Sequence, residues 1–560
     1  MKKKPFQQNL QLFLLIGILI VVNLLASGFF VRWDLTKEKR YSLSAMSIAT
    51  VRSLQNDTAE FPVYVQVYLE GEFPPEIRRF QEAVRTTLVE LGYYSGGLID
   101  YEFIDPTGNK DLQRDFAMQG FPPIPMKVRE AGKETLQDIF PLMVLRYRGR
   151  EQIIDLFRSC IYPNGAVNVE KAESQLEYKL ISAMQNLTSD RSKVVAILQG
   201  HGEIPYQQLG ELSTELNNVY QVFAYDMKTL AGKGLPNFDA VIIPQPNRAF
   251  SERDKYELDQ YLMRGGSLFW ILDQQVVDLD MYEKRSTLTQ LQSLNLDDMF
   301  MKYGFKLNYD LVQDLKCETI EVMVDGQSGA VFTSQPWIFY PRVLAFPNHP
   351  VTRNIEAVLL RYASSIDTFA QEGVKKNVFL RTSDQSRVVA GNQFIDLSDY
   401  LENPRPAAMF RELGKITGML MEGRFQSLFV GREVPRDSAA PGPAEARFIA
   451  ENFSQAPGRM ALISDGEFVL GNAFRGKRQY LPYDNKTLVM NVVDYLAGDQ
   501  ALSGIRSKEV VARRLDRDKV IRYQGLVRVL NLALPVLLMV LFGSLRYYVR
   551  KRRHERLKSV

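Results

Sequence analysis

Residues with chemical potential are few in this chain, and they are scattered. The most suggestive set is Gly200-His201-Gly202-Glu203, which follows the apolar run KVVAILQ and so falls at the carboxyl end of a predicted strand, the place where open α/β sheets bind ligands. An imidazole beside a carboxylate can exchange protons or hold a metal. Only His349 could bring a second imidazole to His201, because the third histidine, His554, lies in the basic tail. Neither a HExxH nor a His-x-His spacing occurs, so the balance favours a structural His201 whose flanking glycines serve a tight turn. His201, Glu203, Gly200 and Gly202 are therefore candidates for a ligand or interaction loop, with no catalytic and no metal-ligating residue assigned.

Other chemistries find still less to work with. Cys160 and Cys317 are far apart and in no Cys-x-x-Cys or zinc-ligand spacing, which excludes a disulfide framework. They pair only if the fold brings them together; the simpler expectation is two separate thiols behaving as small hydrophobes. Neither stands on a strand-to-helix elbow of the amidotransferase kind, and no Gly-x-Ser-x-Gly elbow is present. The chain lacks a Gly-x-x-x-x-Gly-Lys-Ser/Thr loop and a Gly-x-Gly-x-x-Gly fingerprint, so nucleotide chemistry and cofactors are not expected. Asp273 and the pair Asp465-Gly466 end predicted strands, where single carboxylates are more often turn formers than metal ligands.

The elements that would position these residues read as α/β. FPVYVQVYLE (Phe61 to Glu70) alternates as a strand, Pro74 to Leu91 has helical spacing, and LIDYEFIDP (Leu98 to Pro106) is a second strand, which makes one βαβ unit. PLMVLRYRG and EQIIDLF form a hairpin, and a helix over Glu170 to Leu187 closes a segment whose order resembles a thioredoxin-like domain. The Pro-rich FPPIP (Phe121 to Pro125) reads as a rigid turn. From Lys193 a second unit alternates strands and helices. KVVAILQG, VYQVFAYD, FDAVIIPQP and SLFWILD are strands, with helices over Tyr206 to Asn217 and from Ser251, a cap followed by acidic Glu252 and Asp254, to Met263. That order predicts a doubly wound, flavodoxin-like sheet. A helix over Thr287 to Tyr303 is expected next, then shorter strands, a loop over Val434 to Ala446, a strand in RMALISDGEF and a helix over Lys486 to Leu496, the last two completing the same sheet.

Both ends carry membrane signals. Residues 12–31 are apolar except for Asn23 and Ser27, long enough to span, with Lys2, Lys3 and Lys4 ahead of them. A cleaved signal peptide is the rival reading, but its apolar run would be shorter. Residues 529–545 are uncharged between Arg528 and Arg546, with Pro535 inside and the block Arg550 to Arg553 beyond. The resulting organisation is a cytoplasmic N-terminus (1–11), a first span (12–31), an extracytoplasmic thioredoxin-like domain (32–190), an extracytoplasmic flavodoxin- or amidotransferase-like domain with insertions (191–505), a stalk (506–528), a second span (529–545) and a basic cytoplasmic tail (546–560). Ser44 or Ser42 caps the helix that enters the body. With 69 Lys+Arg against 65 Asp+Glu among 560 residues, no global field argues for nucleic acid, while the basic ends suit membrane lipids.

Taken in order, DLTKEKRYSLS, LQGHGE, FDAVIIPQP, RGGSLFWILD, NHPVTRNI (Asn348 to Ile355), FLRTSDQSR (Phe379 to Arg387), MEGRFQSLFVGR (Met421 to Arg432), ISDGEF and NVVDYLAGDQALSGIRSKE resemble the GldG-like auxiliary subunits of ABC transport systems associated with gliding motility. The resemblance runs over nearly the whole chain. It implies a non-catalytic subunit of the bacterial inner membrane that joins a polytopic ABC permease and a cytoplasmic ABC ATPase. Two other readings stay open: a structural protein of the envelope acting without transport, and a membrane-tethered hydrolase using His201 and Glu203.

Overall fold

The computed structural model describes residues 42–56, 61–119, 121–130, 133–157, 160, 167–188, 193–228, 235–279, 285–326, 329–353, 355–435, 454, 456–474, 477–498 and 517–558, with Leu14 and Gly17. The predicted first span (12–31) otherwise lies outside them, as do most of the predicted loop over 434–446 and the first half of the predicted stalk (506–528). The chain is a mixed α/β protein in two compact units, residues 1–509 and 510–560.

The first unit opens with α1 (Ala45–Ser53), capped by Ser44, whose side chain accepts from Ser47 N. The expected βαβ unit follows: β1 (Val63–Tyr68), α2 (Pro75–Tyr94) and β2 (Ile99–Phe103), with β1 and β2 parallel. After α3 (Lys110–Met118) comes a hairpin of β3 (Ile124–Glu130) and β4 (Lys133–Ile139). Here the reading of FPPIP as a plain turn is corrected, because Ile124 and Pro125 open β3. Proline is tolerated there because the two-stranded hairpin leaves an edge on which a missing N–H costs no ladder bond. β5 (Leu142–Tyr147) and β6 (Arg150–Asp155) form the expected hairpin and complete a four-stranded sheet of order β2-β1-β5-β6. The helix α4 (Val169–Thr188) then leads to the second sheet.

That sheet contains β7 (Val194–Gln199), α5 (Glu211–Val219), β8 (Gln221–Asp226), β9 (Ala240–Pro244), α6 (Glu252–Met263) and β10 (Ser267–Ile271). A β-rich excursion follows. It comprises β11 (Gln275–Val276), β12 (Ser286–Leu288), β13 (Gln290–Leu291), α7 (Asp297–Lys302), β14 (Phe305–Leu307), β15 (Asp310–Asp314), the long ribbon β16 (Cys317–Gly326) and β17 (Gly329–Val343), then β18 (Val358–Leu359) and β19 (Ile366–Thr368). The chain rejoins the sheet through β20 (Val374–Arg381), leaves it for β21 (Ser386–Ala390), β22 (Phe394–Asp396) and α8 (Leu397–Glu402), and returns in β23 (Ile416–Gly423), β24 (Gly458–Ile463) and α9 (Asn485–Leu496). The finished sheet has the order β20-β23-β24-β10-β9-β7-β8. Five neighbours, β24 to β8, are parallel, and β20 and β23 add an antiparallel edge.

The continuous apolar strands are explained by burial on both faces. Val195, Ile197, Ile242, Phe269 and Ile463 point to one face, against Leu212 and Leu216 of α5 and Leu488 and Val492 of α9. Their neighbours Ala196, Leu198, Ile243, Trp270 and Leu462 point to the other, against Leu258 and Leu262 of α6 and Met299 and Phe300 of α7. The first face continues without a break into the core under β1, α2 and α4, so one cluster runs from Val51 to Ala497. The two sheets are separate, but their core is shared.

The expected helix over Thr287 to Tyr303 is corrected. Thr287 and Thr289 are buried while Leu288 is 56% exposed, an alternation of period two, and Thr287 pairs with Ile395 of β22. Asn295 takes a left-handed φ of 59°, which ends any helix before the short α7.

The second unit is a single helix, α10 (Arg517–Lys558), unbroken past Pro535. Its 42 residues make it about 63 Å long. Arg528–Tyr548, 21 residues, is apolar and long enough to cross a membrane.

Candidate functional site

In an open parallel sheet, ligands settle beyond the carboxyl ends of the strands where the strand order reverses. Taken in chain order as 1 to 5, the parallel strands β7, β8, β9, β10 and β24 are arranged 2-1-3-4-5, so the reversal lies between β7 and β9. Gly200 (φ 119°) and Gly202 (φ 75°) turn the chain sharply after β7, placing the predicted glycine-His-glycine loop at that point. Instead of leaving a crevice, the loop is stitched across it. Ile204 N donates to Pro244 O at 2.9 Å, and Asn247 N and Arg248 N both donate to His201 O at 2.9 Å. A Cβ on Gly202 would lie 1.8 Å from Asn247 Oδ1.

His201 itself is 1% exposed. Its ring lies flat on Phe250, centroids 3.9 Å apart, and Phe250 meets Trp270 edge-on. Nε2 is 3.0 Å from Asp254 Oδ2, and Nδ1 is 3.4 Å from Glu203 Oε1, an ion-pair distance without the alignment of a hydrogen bond. Glu203 Oε2 also accepts His201 N at 2.7 Å. Burial works against a charged imidazole, but the hydrogen bond to Asp254 and the nearby Glu203 carboxylate outweigh it and hold the His201 pKa above its ordinary value. Burial likewise opposes ionisation of Asp254, yet its bonds from His201 and Ser251 hold its carboxyl below the usual range. Asp254 is at the same time the third residue of α6, in a reciprocal cap with Ser251. The His201 ring thus clamps the β7 loop to the start of α6. A ring whose proton is held this way and whose face is covered by Phe250 is poorly placed to act as a base.

Of the predicted set, the structure brings His201, Glu203, Gly200 and Gly202 together. It adds Asp254, which had been read only as a helix-dipole residue, and Phe250. His349 instead caps a short 3-10 turn (Pro350–Thr352) and faces Tyr495 at 5.4 Å between centroids. Burial lowers its pKa.

A second polar group sits further along the same rim. Asp273 and Asp465, expected as single turn-forming carboxylates, lie on neighbouring strands, and Asp465 opens the 3-10 turn Gly466–Val469. β10 and β24 pair in register at Ile271 and Ile463, so both carboxylates leave the sheet at the same level. Asp273 accepts from Gly466 N at 2.6 Å and Gln245 Nε2 at 2.7 Å; Asp465 Oδ2 accepts from Arg361 N at 2.7 Å, and Asp465 Oδ1 is buried without a partner. Burial raises both above the usual carboxylate range; the charge of Glu467 adds to it at Asp273, and that of Asp273 adds to it at Asp465. Glu467 is also raised by burial, against the opposing pull of Arg361, whose Nη1 stands 3.9 Å from its Oε2. A signal for this pair existed in the sequence, an Asp two residues past the apolar end of each of two strands, but only the strand order makes them neighbours.

Cys160 is buried and Cys317 half-buried, both as free thiols, and burial pushes the Cys317 thiol up to about 11. Among the described residues, no group of three or more His, Cys, Asp or Glu is arranged to hold a metal ion.

A family model described as an ABC-type uncharacterized transport system matches residues 192–492, more than half of the chain, and a model described as a domain of unknown function matches residues 37–146. No curated protein matches. Among solved structures, the mmIFT52 N-terminal domain is 12% identical, covering 54% of this chain and 97% of its own, with a TM-score of 0.31. PurLQS from Thermotoga maritima is 13% identical, covering 55% of this chain and 100% of its own, with a TM-score of 0.23. Neither likeness is close enough to carry an argument.

Proposed function

The chain belongs to the family described as an ABC-type uncharacterized transport system, an auxiliary family of ABC transport, and from that premise we propose that it is a non-catalytic, membrane-anchored accessory or substrate-binding subunit whose transport system serves gliding motility. The observation that carries the non-catalytic part is the closed rim of the central sheet. Three backbone hydrogen bonds cross the strand-order reversal, and the His201 ring is committed to Asp254 and Glu203. Its partners in this reading are a polytopic permease and a cytoplasmic ATPase, and the motility assignment rests on the GldG-like stretches of the sequence.

The chain sits in the bacterial inner membrane with spans at 12–31 and 529–545, both termini cytoplasmic and the body outside. The apolar Arg528–Tyr548 with Arg550 to Arg553 beyond it supports the second span and its orientation. The strand order 2-1-3-4-5 supports a flavodoxin- or amidotransferase-like kinship for residues 191–505, and the βαβ unit with its antiparallel hairpin supports a thioredoxin-like kinship for residues 32–190.

The test is a tagged pull-down from native membranes solubilised in mild detergent, with mass spectrometry of what is retained. A permease and a P-loop ATPase in fixed ratio are expected. Envelope components without either would replace this reading with a structural role in the cell envelope.

A further inference from the structure

The larger sheet ends on β8, whose outer side pairs with no strand among the described residues. In a parallel ladder a residue turns its N–H and C=O to the same side, and successive residues alternate. Gln221 N donates to Lys193 O and Met227 N to Gln199 O, both on the β7 side. Phe223 and Tyr225 fall in step with them, so the backbone groups of Val222 and Ala224 face outward. Phe223 is 53% exposed, and Ala224 is exposed beside it.

Folded proteins normally blunt such edges with charge, proline or a bulge. The opposite edge of this sheet does so: β20 carries Lys375 and Lys376, and its register slips between Val378 and Leu380. The four-stranded sheet presents exposed charges at both edges, Asp100 and Glu102 on β2, Arg150 and Glu151 on β6. β8 reads QVFAYD, with its charge, Asp226, held to the last position, and it pairs with β7 in unbroken register. Its central residues are left as an open template for another strand.

We propose that the β8 edge is a self-association surface, on which a second copy of this chain lays its own β8 antiparallel. With the two-fold axis at Phe223, Val222 of each copy lies opposite Ala224 of the other, and each facing pair exchanges both of its outward backbone bonds. The two Phe223 residues then form the closer, non-hydrogen-bonded pair, with Cα atoms about 4.5 Å apart, and ring covers ring. Charge fits a copy too: each Asp226 falls opposite Tyr220 of the other chain, so no like charges face. This goes beyond the accessory-subunit reading and does not depend on it, since neither a permease nor an ATPase takes part.

The experiment is disulfide trapping of the full chain in detergent, read on a non-reducing gel. Phe223→Cys meets itself at the axis, inside the Cα separation of about 4.4 to 6.8 Å that a disulfide bridges, whereas the two copies of Gln221→Cys lie about 13 Å apart along the strands. A dimer band is expected for Phe223→Cys, above the level of the native chain with its Cys160 and Cys317, and not for Gln221→Cys. In sedimentation equilibrium the native chain should dimerise reversibly. Ala224→Pro and Phe223→Lys should each raise the dissociation constant about tenfold or more, because a change counts twice in a symmetric contact. The N–H that Ala224→Pro removes faces outward, so the sheet itself loses no ladder bond. Phe223→Cys trapping no better than Gln221→Cys, or a dissociation constant unmoved in both edge variants, overturns the proposal. Should Ala224→Pro fail to fold, Phe223→Lys decides that arm alone.

Discussion

Asp273 and Asp465 stand side by side where β10 and β24 leave the sheet, with Gly466 N bonded to one carboxylate and Arg361 N to the other. They join the sheet to the returning segment after β18, since Arg361 N and, a few residues on, Ser364 N are both held from the β24 end. The glycine after Asp465 leaves room for the approach: a Cβ on Gly466 would lie 2.4 Å from Asp273 Oδ2.

This pair makes stability fall with rising pH. Its folded pKa values are raised, so the folded state binds more protons than the unfolded one. The contribution is complete below the unfolded carboxylate value of about 4 and is lost as pH rises through the folded value, about 7 for Asp273. Asp465→Asn should remove the part of that slope owed to Asp465 and leave the part owed to the burial of Asp273, because the amide oxygen can still accept from Arg361 N. Melting temperatures at pH 5 and pH 8 check it: the variant should match or exceed the native protein at pH 8. An unchanged slope would show that Asp465 binds no extra proton in the folded state.

His201→Gln should destabilise the body by about 3 kcal/mol, because it removes the ring that faces Glu203 and Asp254 in a buried site. The pH dependence has a definite sign. The folded pKa of His201 lies above 6.5, so its contribution is present below that pH and lost as pH rises through the folded value. Urea denaturation at pH 6 and pH 9 would measure both. A variant that melts like the native protein would mean that the clamp between β7 and α6 contributes nothing.

Gly202→Ala should cost about 2 kcal/mol or more, from a left-handed backbone and a direct clash with Asn247. Asn247→Gly in the same chain should recover the part owed to the clash. Denaturation of the single and double variants separates the terms. Equal losses in both would assign the whole cost to backbone strain.

Leu538→Arg, near the middle of the apolar stretch of α10, should oppose membrane insertion of that segment by about 3 kcal/mol. Carbonate extraction of membranes, with a cysteine reporter in the tail labelled from the cytoplasmic side, reads the result. A tail equally labelled and equally retained in the variant would argue that this segment does not span.

Short-range order was readable from the chain because it is set by local patterning. Ser44 as a cap, the βαβ unit, the hairpin after Pro141 and the fully apolar strands of the second sheet all follow from alternation, capping residues and apolar runs over a few residues. Where local signals conflicted, the reading failed. Thr287 to Tyr303 carries leucines at helical spacing, but pairing with β22 and the left-handed Asn295 made the first part strand.

The sequence by itself determined the α/β character, the strands of the first sheet and the five parallel strands of the second, the glycine-bounded turn at His201 and the apolar segment with its basic flank, since each depends on neighbours along the chain. Only the tertiary structure decided that His201 is clamped by Asp254, 53 residues away, and that Asp273 and Asp465 lie at the same level on neighbouring strands. Those relationships depend on strand order and on which helix packs beside which loop, and side-chain charge and hydrogen bonding act through space over a few ångströms regardless of separation along the chain.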